Sequence, residues 1–166
     1  MSIKNTINCL RIEQLSELLI KKGWRISCAE SCTGGWVAKL FTDLAGSSTW
    51  FERGYVTYSN QSKHEMLGVT SRSLEKHGAV SEAVVREMAE AAALKSQTEV
   101  SIAISGIAGP GGGTDDKPVG LVWFAWSIQE QLFTYSEIFK GDRDDVRQQA
   151  VNTSIEKLMA QFESAN

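Results

Sequence analysis

Leu10, Ile12, Leu15, Leu18 and Leu19 recur at helical spacing and predict a first amphipathic helix, with Gly23 at its end. Trp24, Ile26 and Cys28 then alternate with polar residues, as in a half-buried strand. A small polar turn, Glu30-Ser31-Cys32-Thr33-Gly34-Gly35, leads into Trp36, Val37, Leu40 and Phe41 at helical spacing. Residues 46–51 read as a turn with a short helix. Gly54-Tyr55-Val56-Thr57-Tyr58 reads as a strand rich in β-branched and aromatic types. Ser59 or Asn60 is placed to cap a short helix carrying Lys63, Met66 and Leu67. Ser81 is placed to cap a longer one through Val84, Val85, Met88, Ala92 and Leu94. Residues 100–105 form a short apolar strand, followed by a Gly-rich loop from Gly106 to about Lys117. Residues 119–127 and 132–139 predict a β-hairpin around Glu130. The last helix opens at Asp142 and runs to about Phe162, burying Val146, Ala150, Val151, Ile155, Leu158, Met159 and Phe162.

Strand and helix alternate first, and a hairpin comes late. That order predicts a three-layer α/β/α sandwich with a mixed, mostly parallel sheet and a β-hairpin before the C-terminal helix. Ligands in such folds gather at the carboxyl ends of parallel strands. The polar segments after Cys28, after Tyr58 and after Ile104 should therefore converge with Gly141-Asp142-Arg143 on one site.

Composition narrows the picture. The chain has 166 residues, 42% hydrophobic and 22% charged, with a net charge of −3. Those proportions fit one globular domain over residues 1–166 and exclude disorder as the main state. The acidic balance argues against electrostatic coating of nucleic acid. No apolar run reaches the roughly 20 residues of a membrane span, and the N-terminus lacks a signal-peptide core. The expected location is the cytoplasm. Cys9, Cys28 and Cys32 are an odd, unsecreted set and read as free thiols. With two histidines and no cysteine cluster, no metal and no cofactor is expected.

Four segments carry candidate chemistry. The 30–35 turn sits between a strand and a helix, where exposed backbone N–H groups bind anions. It reads equally as a helix cap whose glycines permit close packing. Ser31 and Thr33 add hydroxyls, and Cys32 is an alternative nucleophile if a histidine serves it. The second segment joins Ser47-Ser48, Tyr58 and Lys63; a lysine amine can deprotonate a serine if its pKa is lowered. On spacing alone a Ser-rich turn and a solvated lysine fit as well. The third is Ser105 to Pro110, with Gly111 to Asp116 as a mobile cover. In the fourth, Arg143 and Arg147 share a helix face and suit a phosphate, or else form a network with Asp144 and Asp145. The five tryptophans read as core or interface anchors, with Trp50 considered as a pocket wall.

Taken together, these residues resemble a known family. Residues 29–35, 45–48, 54–60, Lys63, 78–81, 105–110, 117–120 and 141–147 all match in order. The chain resembles the C-terminal domain of the CinA competence/damage-inducible family, in its free-standing form. The resemblance implies hydrolysis of the carboxamide of nicotinamide mononucleotide to nicotinate mononucleotide and ammonia, in pyridine nucleotide salvage, by a metal-free Ser/Lys dyad. It implies Ser48 as nucleophile, Lys63 as its base, and Tyr58 assisting proton transfer or orienting Lys63. Ser31, Thr33, Gly34, Ser105, Gly106, Arg143 and Arg147 are then the substrate-binding set. The implied partners are nicotinamide mononucleotide and a second copy of the chain, with no nucleic acid and no membrane. Without the resemblance, Ser31 and Ser48 stay open as alternatives. The rival functions are a non-catalytic nucleotide- or phosphate-binding module and a protein-interaction module linked to competence or DNA damage.

Overall fold

The computed structural model describes the backbone of residues 3–164 and the side chains of residues 10–164. The side chain of Cys9 lies outside the described residues. Helix α1 (Ile3–Lys22) ends at Gly23 in a left-handed conformation, φ 66°. Strand β1 (Ile26–Glu30) leads through the Ser31–Gly35 turn into α2 (Trp36–Thr42). Two successive glycines, Gly34 and Gly35, take φ of 61° and 96°, which reverses the chain from strand to helix without a Cβ clash. A single 3-10 turn (Ser47–Thr49) precedes β2 (Phe51–Val56). Helices α3 (Asn60–Leu67), α4 (Ser71–His77) and α5 (Glu82–Ser96) follow. Strands β3 (Val100–Gly106), β4 (Leu121–Ile128) and β5 (Gln131–Ile138) and helix α6 (Arg143–Ser164) complete the chain.

The strand order is β2-β1-β3-β4-β5. Strand β1 pairs in parallel with β2 and with β3; β3–β4 and β4–β5 are antiparallel. Four of the five strands thus point the same way, and only β4 is reversed. This is the mixed three-layer sandwich that the alternation of patterns predicts. The period of two is plain in the core. Ile26 and Cys28, Val100, Ile102 and Ile104, and Val122, Phe124 and Trp126 face α1, α2 and α6. Ala29, Ala103 and Ala125 face α3 and α5, whose Leu67, Val84, Val85, Met88, Ala89 and Ala92 cover them. Small residues on this second face let α5 approach the sheet closely.

Two elements differ from the sequence expectation, and the predicted hairpin is found. Strand β2 starts at Phe51 and stops at Val56, so Thr57 and Tyr58 lie beyond it. The chain leaves the sheet there because Ser59 caps α3 in a reciprocal box with Ser62. Helix α4 went unpredicted, since Leu74 is its one apolar residue. Its cap is Thr70, which accepts from Ser73 N while Thr70 N donates to Glu87. The hairpin turns on Gln129 and Glu130, both at positive φ (46° and 68°), the signature of a two-residue turn matched to strand twist. Trp50, considered as a pocket wall from the sequence, is a core residue, 1% exposed and edge-on to Phe41 at 5.2 Å.

The topology sets where a site can form. The β1–α2–β2 connection leaves on one face of the sheet, and β2–α3–α4–α5–β3 returns on the other, to the far side of β1. The loops after β1 and β3 therefore part in opposite directions at the carboxyl edge and open a crevice.

Phe41 closes the core under β2, against Trp50 and Phe51. Phe41→Ala is expected to cost about 3–5 kcal/mol in urea unfolding. A loss under 1 kcal/mol would mean that this aromatic cluster does not hold α2 to the sheet.

Candidate active site

Four segments meet at the carboxyl edge of the parallel strands. Ser31 follows β1, and its N–H donates to Ile104 O of β3 (3.0 Å). Thr57 follows β2, and its N–H donates to Glu30 O (2.8 Å). These two backbone bonds extend the sheet by one rung on either side of β1. They place Ser31 beside the residue that faces Lys63.

Lys63 lies on the second turn of α3 and is only 1% exposed. Its Nζ donates to Ser31 Oγ (2.9 Å) and to Thr57 O (2.8 Å). Among the described residues no carboxylate pairs with it. Burial therefore acts against the charged form with no counter-ion to offset it, and the amine falls from 10.5 to about 8; the neighbouring Cys32 opposes this slightly. At pH 7 about one amine in ten is neutral, against about one in three thousand at its ordinary value.

Glu30 is the second buried charge, also 1% exposed. Its carboxylate turns into α2 and accepts from Gly35 N (3.1 Å), Val37 N (3.1 Å) and Ala38 N (2.9 Å). The helix N-terminus that sequence reasoning offered to a ligand anion is thus already filled by the protein's own carboxylate. The signal was present: a lone acidic residue ends an apolar strand just before a helix. Asp142 does the same for α6, accepting from Asp144 N and Asp145 N.

Ser48 does not join Lys63. It is exposed on the 3-10 turn before β2, at the amino end of a strand whose carboxyl end leads to Lys63. Five residue steps of about 3.3 Å put about 16 Å of strand between those ends. The structure pairs Lys63 with Ser31, and Ser48, the partner that the resemblance implies, lies at the opposite end of β2. Tyr58 is 61% exposed, and its hydroxyl accepts from Arg143 Nη2 (2.9 Å). No bond joins it to Lys63.

Arg143 also donates to Gly109 O (2.7 Å), so it straps the loop after β3 to the loop after β2. Arg147 donates to Cys32 O (3.0 Å) and Thr33 O (3.2 Å) and lies over the Trp36 ring. Gly34 packs against that guanidinium: a Cβ there would sit 3.7 Å from Nη2. Thr33 Oγ1 and Thr57 Oγ1 are buried without a hydrogen-bond partner. Ser105 is buried and donates to Ala79 O (2.8 Å), holding the loop before α5 to β3. Gly106 is where β3 meets the Ser31–Gly35 turn. A Cβ at this position would lie 3.1 Å from Cys32 Sγ and 2.6 Å from Val122 Cγ2. A cavity of about 430 Å³ opens beside this cluster, lined by Ala108, Gly109, Pro110, Val119 and residues 141–144.

Cys32 is a poor nucleophile here. Burial pushes its thiol up to about 11, with Glu30 adding to the rise, and Arg147 and Lys63 only partly opposing it. Cys28 is likewise buried and raised. Neither histidine is bonded to Cys32: His64 Nδ1 contacts Val69 O, and His77 ends α4.

Comparison with known proteins agrees with this arrangement of elements. Residues 11–162 match the model of the CinA C-terminal domain family. The nicotinamide-nucleotide amidohydrolase PncC of Shigella flexneri is 52% identical over 151 residues, covering 90% of this chain and 92% of that protein. PncC of Pseudomonas putida is 44% identical, covering 88% and 91%. The crystal structure of a competence damage-inducible protein from Klebsiella pneumoniae superposes with a TM-score of 0.91 at 36% identity, covering 94% and 97%.

A buried lysine with a lowered pKa is a stability cost. Between pH 8 and 10.5 the unfolded chain holds the Lys63 proton more tightly than the folded one, so stability rises with pH across that window. Below pH 8 the full penalty, about 3 kcal/mol before the hydrogen bonds that offset it, is present. Lys63→Met should therefore be about 1–2 kcal/mol more stable than the parent at pH 7, an advantage that shrinks toward pH 10.5. Urea unfolding at both pH values checks this; a pH-independent destabilisation would contradict the desolvated-amine account.

Proposed function

The chain belongs to the CinA C-terminal domain family, and from that premise we propose that it is an amidohydrolase. Its substrate is nicotinamide mononucleotide, which it hydrolyses to nicotinate mononucleotide and ammonia, with Ser31 as nucleophile and Lys63 as general base. The observation that carries the reading is the buried 2.9 Å contact between Ser31 Oγ and a lysine amine lowered to about 8. The names of the PncC relatives supply the substrate class. We further assign the reaction to pyridine nucleotide salvage in the cytoplasm, by a homodimer.

The chemistry follows from the protonation state. In the neutral form Lys63 Nζ accepts the hydrogen bond that Ser31 O–H donates. Attack of Oγ on the carboxamide carbon transfers the hydroxyl proton to Nζ. The cationic pyridinium ring withdraws electrons from that carbonyl and makes it more electrophilic. The tetrahedral oxyanion needs fixed donors. The backbone N–H groups of Cys32 and Thr33, which follow the nucleophile in the turn, fill that role. On collapse the leaving amide nitrogen takes the proton from Lys63 and departs as ammonia; Lys63 then takes a proton from the attacking water and passes it to Ser31 Oγ as nicotinate mononucleotide is released. Every proton moved in this sequence starts and ends on groups present in the site, on substrate or on water.

Tyr58 and Arg143 act at the mouth. Their contact joins two loops at the edge of the 430 Å³ cavity that Arg143 lines with Ala108, Pro110 and Val119, the space we assign to the nucleotide part of the substrate, with Asp142 and Asp144 at its rim.

Ammonia release from nicotinamide mononucleotide, measured with EDTA present, tests the reading. Ser31→Ala and Lys63→Ala are expected to lose at least 1000-fold in kcat/KM, and Ser48→Ala less than threefold. Large loss in Ser48→Ala with activity kept in Ser31→Ala would reverse the assignment. Binding without turnover would favour the non-catalytic module.

The pH profile gives a second check. Since neutral Lys63 is required, kcat/KM should rise about 50-fold from pH 6 to pH 8 and level off above. A profile flat over that range would exclude Lys63 as the base.

A further inference from the structure

Ser31 sits in a turn whose two ends are gripped by opposite charges, and neither charge has a role in the steps above. On one side the Glu30 carboxylate takes three backbone amides, from Gly35, Val37 and Ala38. On the other, Arg147 Nε and Nη2 donate to the carbonyls of Cys32 and Thr33. The remaining terminal nitrogen, Nη1, lies 3.6 Å from Asp144 Oδ1. All three guanidinium nitrogens thus face protein oxygen.

We propose that Glu30 and Arg147 are a pair of positioning residues that fix the nucleophile turn from its amide end and its carbonyl end, and that Arg147 does not grip the substrate. The proposal rests on Ser31 being the nucleophile and names what orients its oxyanion donors. In a trans peptide the C=O of one residue and the N–H of the next point in opposite directions. Arg147 on Cys32 O therefore turns Thr33 N–H away from the guanidinium. The same grip on Thr33 O turns the following N–H, of Gly34, toward Ser31 O, to which it donates at 3.1 Å. Glu30 prevents the turn from sliding along α2, because its three bonds span the first turn of that helix. Its own backbone carbonyl also holds Thr57, the residue that accepts from Lys63. One residue thereby registers both members of the dyad.

A residue that binds substrate and a residue that positions the turn differ in what their loss changes. Arg147→Lys keeps the charge but cannot reach two carbonyls at once. Glu30→Gln keeps the shape but loses half of the acceptor capacity. With nicotinamide mononucleotide as substrate, each variant is expected to lose 10- to 100-fold in kcat with KM within threefold of the parent. In the free protein, 15N-resolved amide signals of Cys32, Thr33 and Gly34 should move in both variants while those of α5 stay in place. A KM rise of tenfold or more in Arg147→Lys at unchanged kcat would overturn the proposal and make Arg147 a substrate ligand. Unmoved amide signals at residues 32–34 in both variants would overturn it as well. The amide signals are read without substrate, so they decide the positioning role even if the parent turns over no nicotinamide mononucleotide; that last result would defeat only the amidohydrolase reading.

Discussion

Everything at the carboxyl edge of the sheet depends on an ammonium group kept from water without a counter-ion. Lys63 has two hydrogen-bond acceptors, Ser31 Oγ and Thr57 O, and no carboxylate pairs with it among the described residues. A carboxylate in that place would have stabilised the charge and left the amine protonated and useless as a base. Glu30 directly precedes Ser31 but spends its charge on α2 instead. The separation of these two buried charges into different hydrogen-bond systems allows a reactive amine and a rigid turn to exist side by side.

The fold delivers this arrangement through strand order. Placing β1 between β2 and β3 brings three successive loops to one edge, and backbone bonds from Ser31 to Ile104 and from Thr57 to Glu30 carry the sheet register into them. Helix α6 arrives from the chain's other end and adds Arg143 and Arg147, which reach across to loops more than a hundred residues earlier or some thirty. The site is built of residues far apart in sequence, held by main-chain contacts more than by side-chain pairs. Small residues make the close approaches possible: Gly106 stands where any Cβ would strike Val122.

Much of the fold was legible because the hydrophobic periods were clean. The α6 face from Val146 to Phe162 and the alternation of β1, β3 and β4 read directly from the sequence. Helix α4 did not, because seven residues with one leucine carry no period, and its cap depends on Glu87 from another helix. For the site, the sequence offered the right segments and left the pairing between them open. Ser31 and Ser48 both stand in small polar turns near a strand. What separates them is which end of a strand each occupies, and that is a fact of topology. The family resemblance pointed to Lys63, and burial by α3 against the sheet explains why that lysine differs from a solvated one. The family resemblance placed Arg147 in the substrate-binding set, while its spacing with Arg143 left a phosphate grip and an aspartate network open, since nothing in a sequence tells whether a guanidinium will meet phosphate or backbone carbonyls. Glu30 was passed over although its signal was present, a lone acidic residue ending an apolar strand just before a helix.

The most direct test of the account is titration of Lys63 itself, followed by the Cε signal of 13C-labelled lysine in the substrate-free protein and assigned with Lys63→Met. The account predicts one lysine with a midpoint near 8, well below the others. A Lys63 midpoint near 10.5 would mean that the amine is charged throughout the working range. In that case it could not take the proton of Ser31.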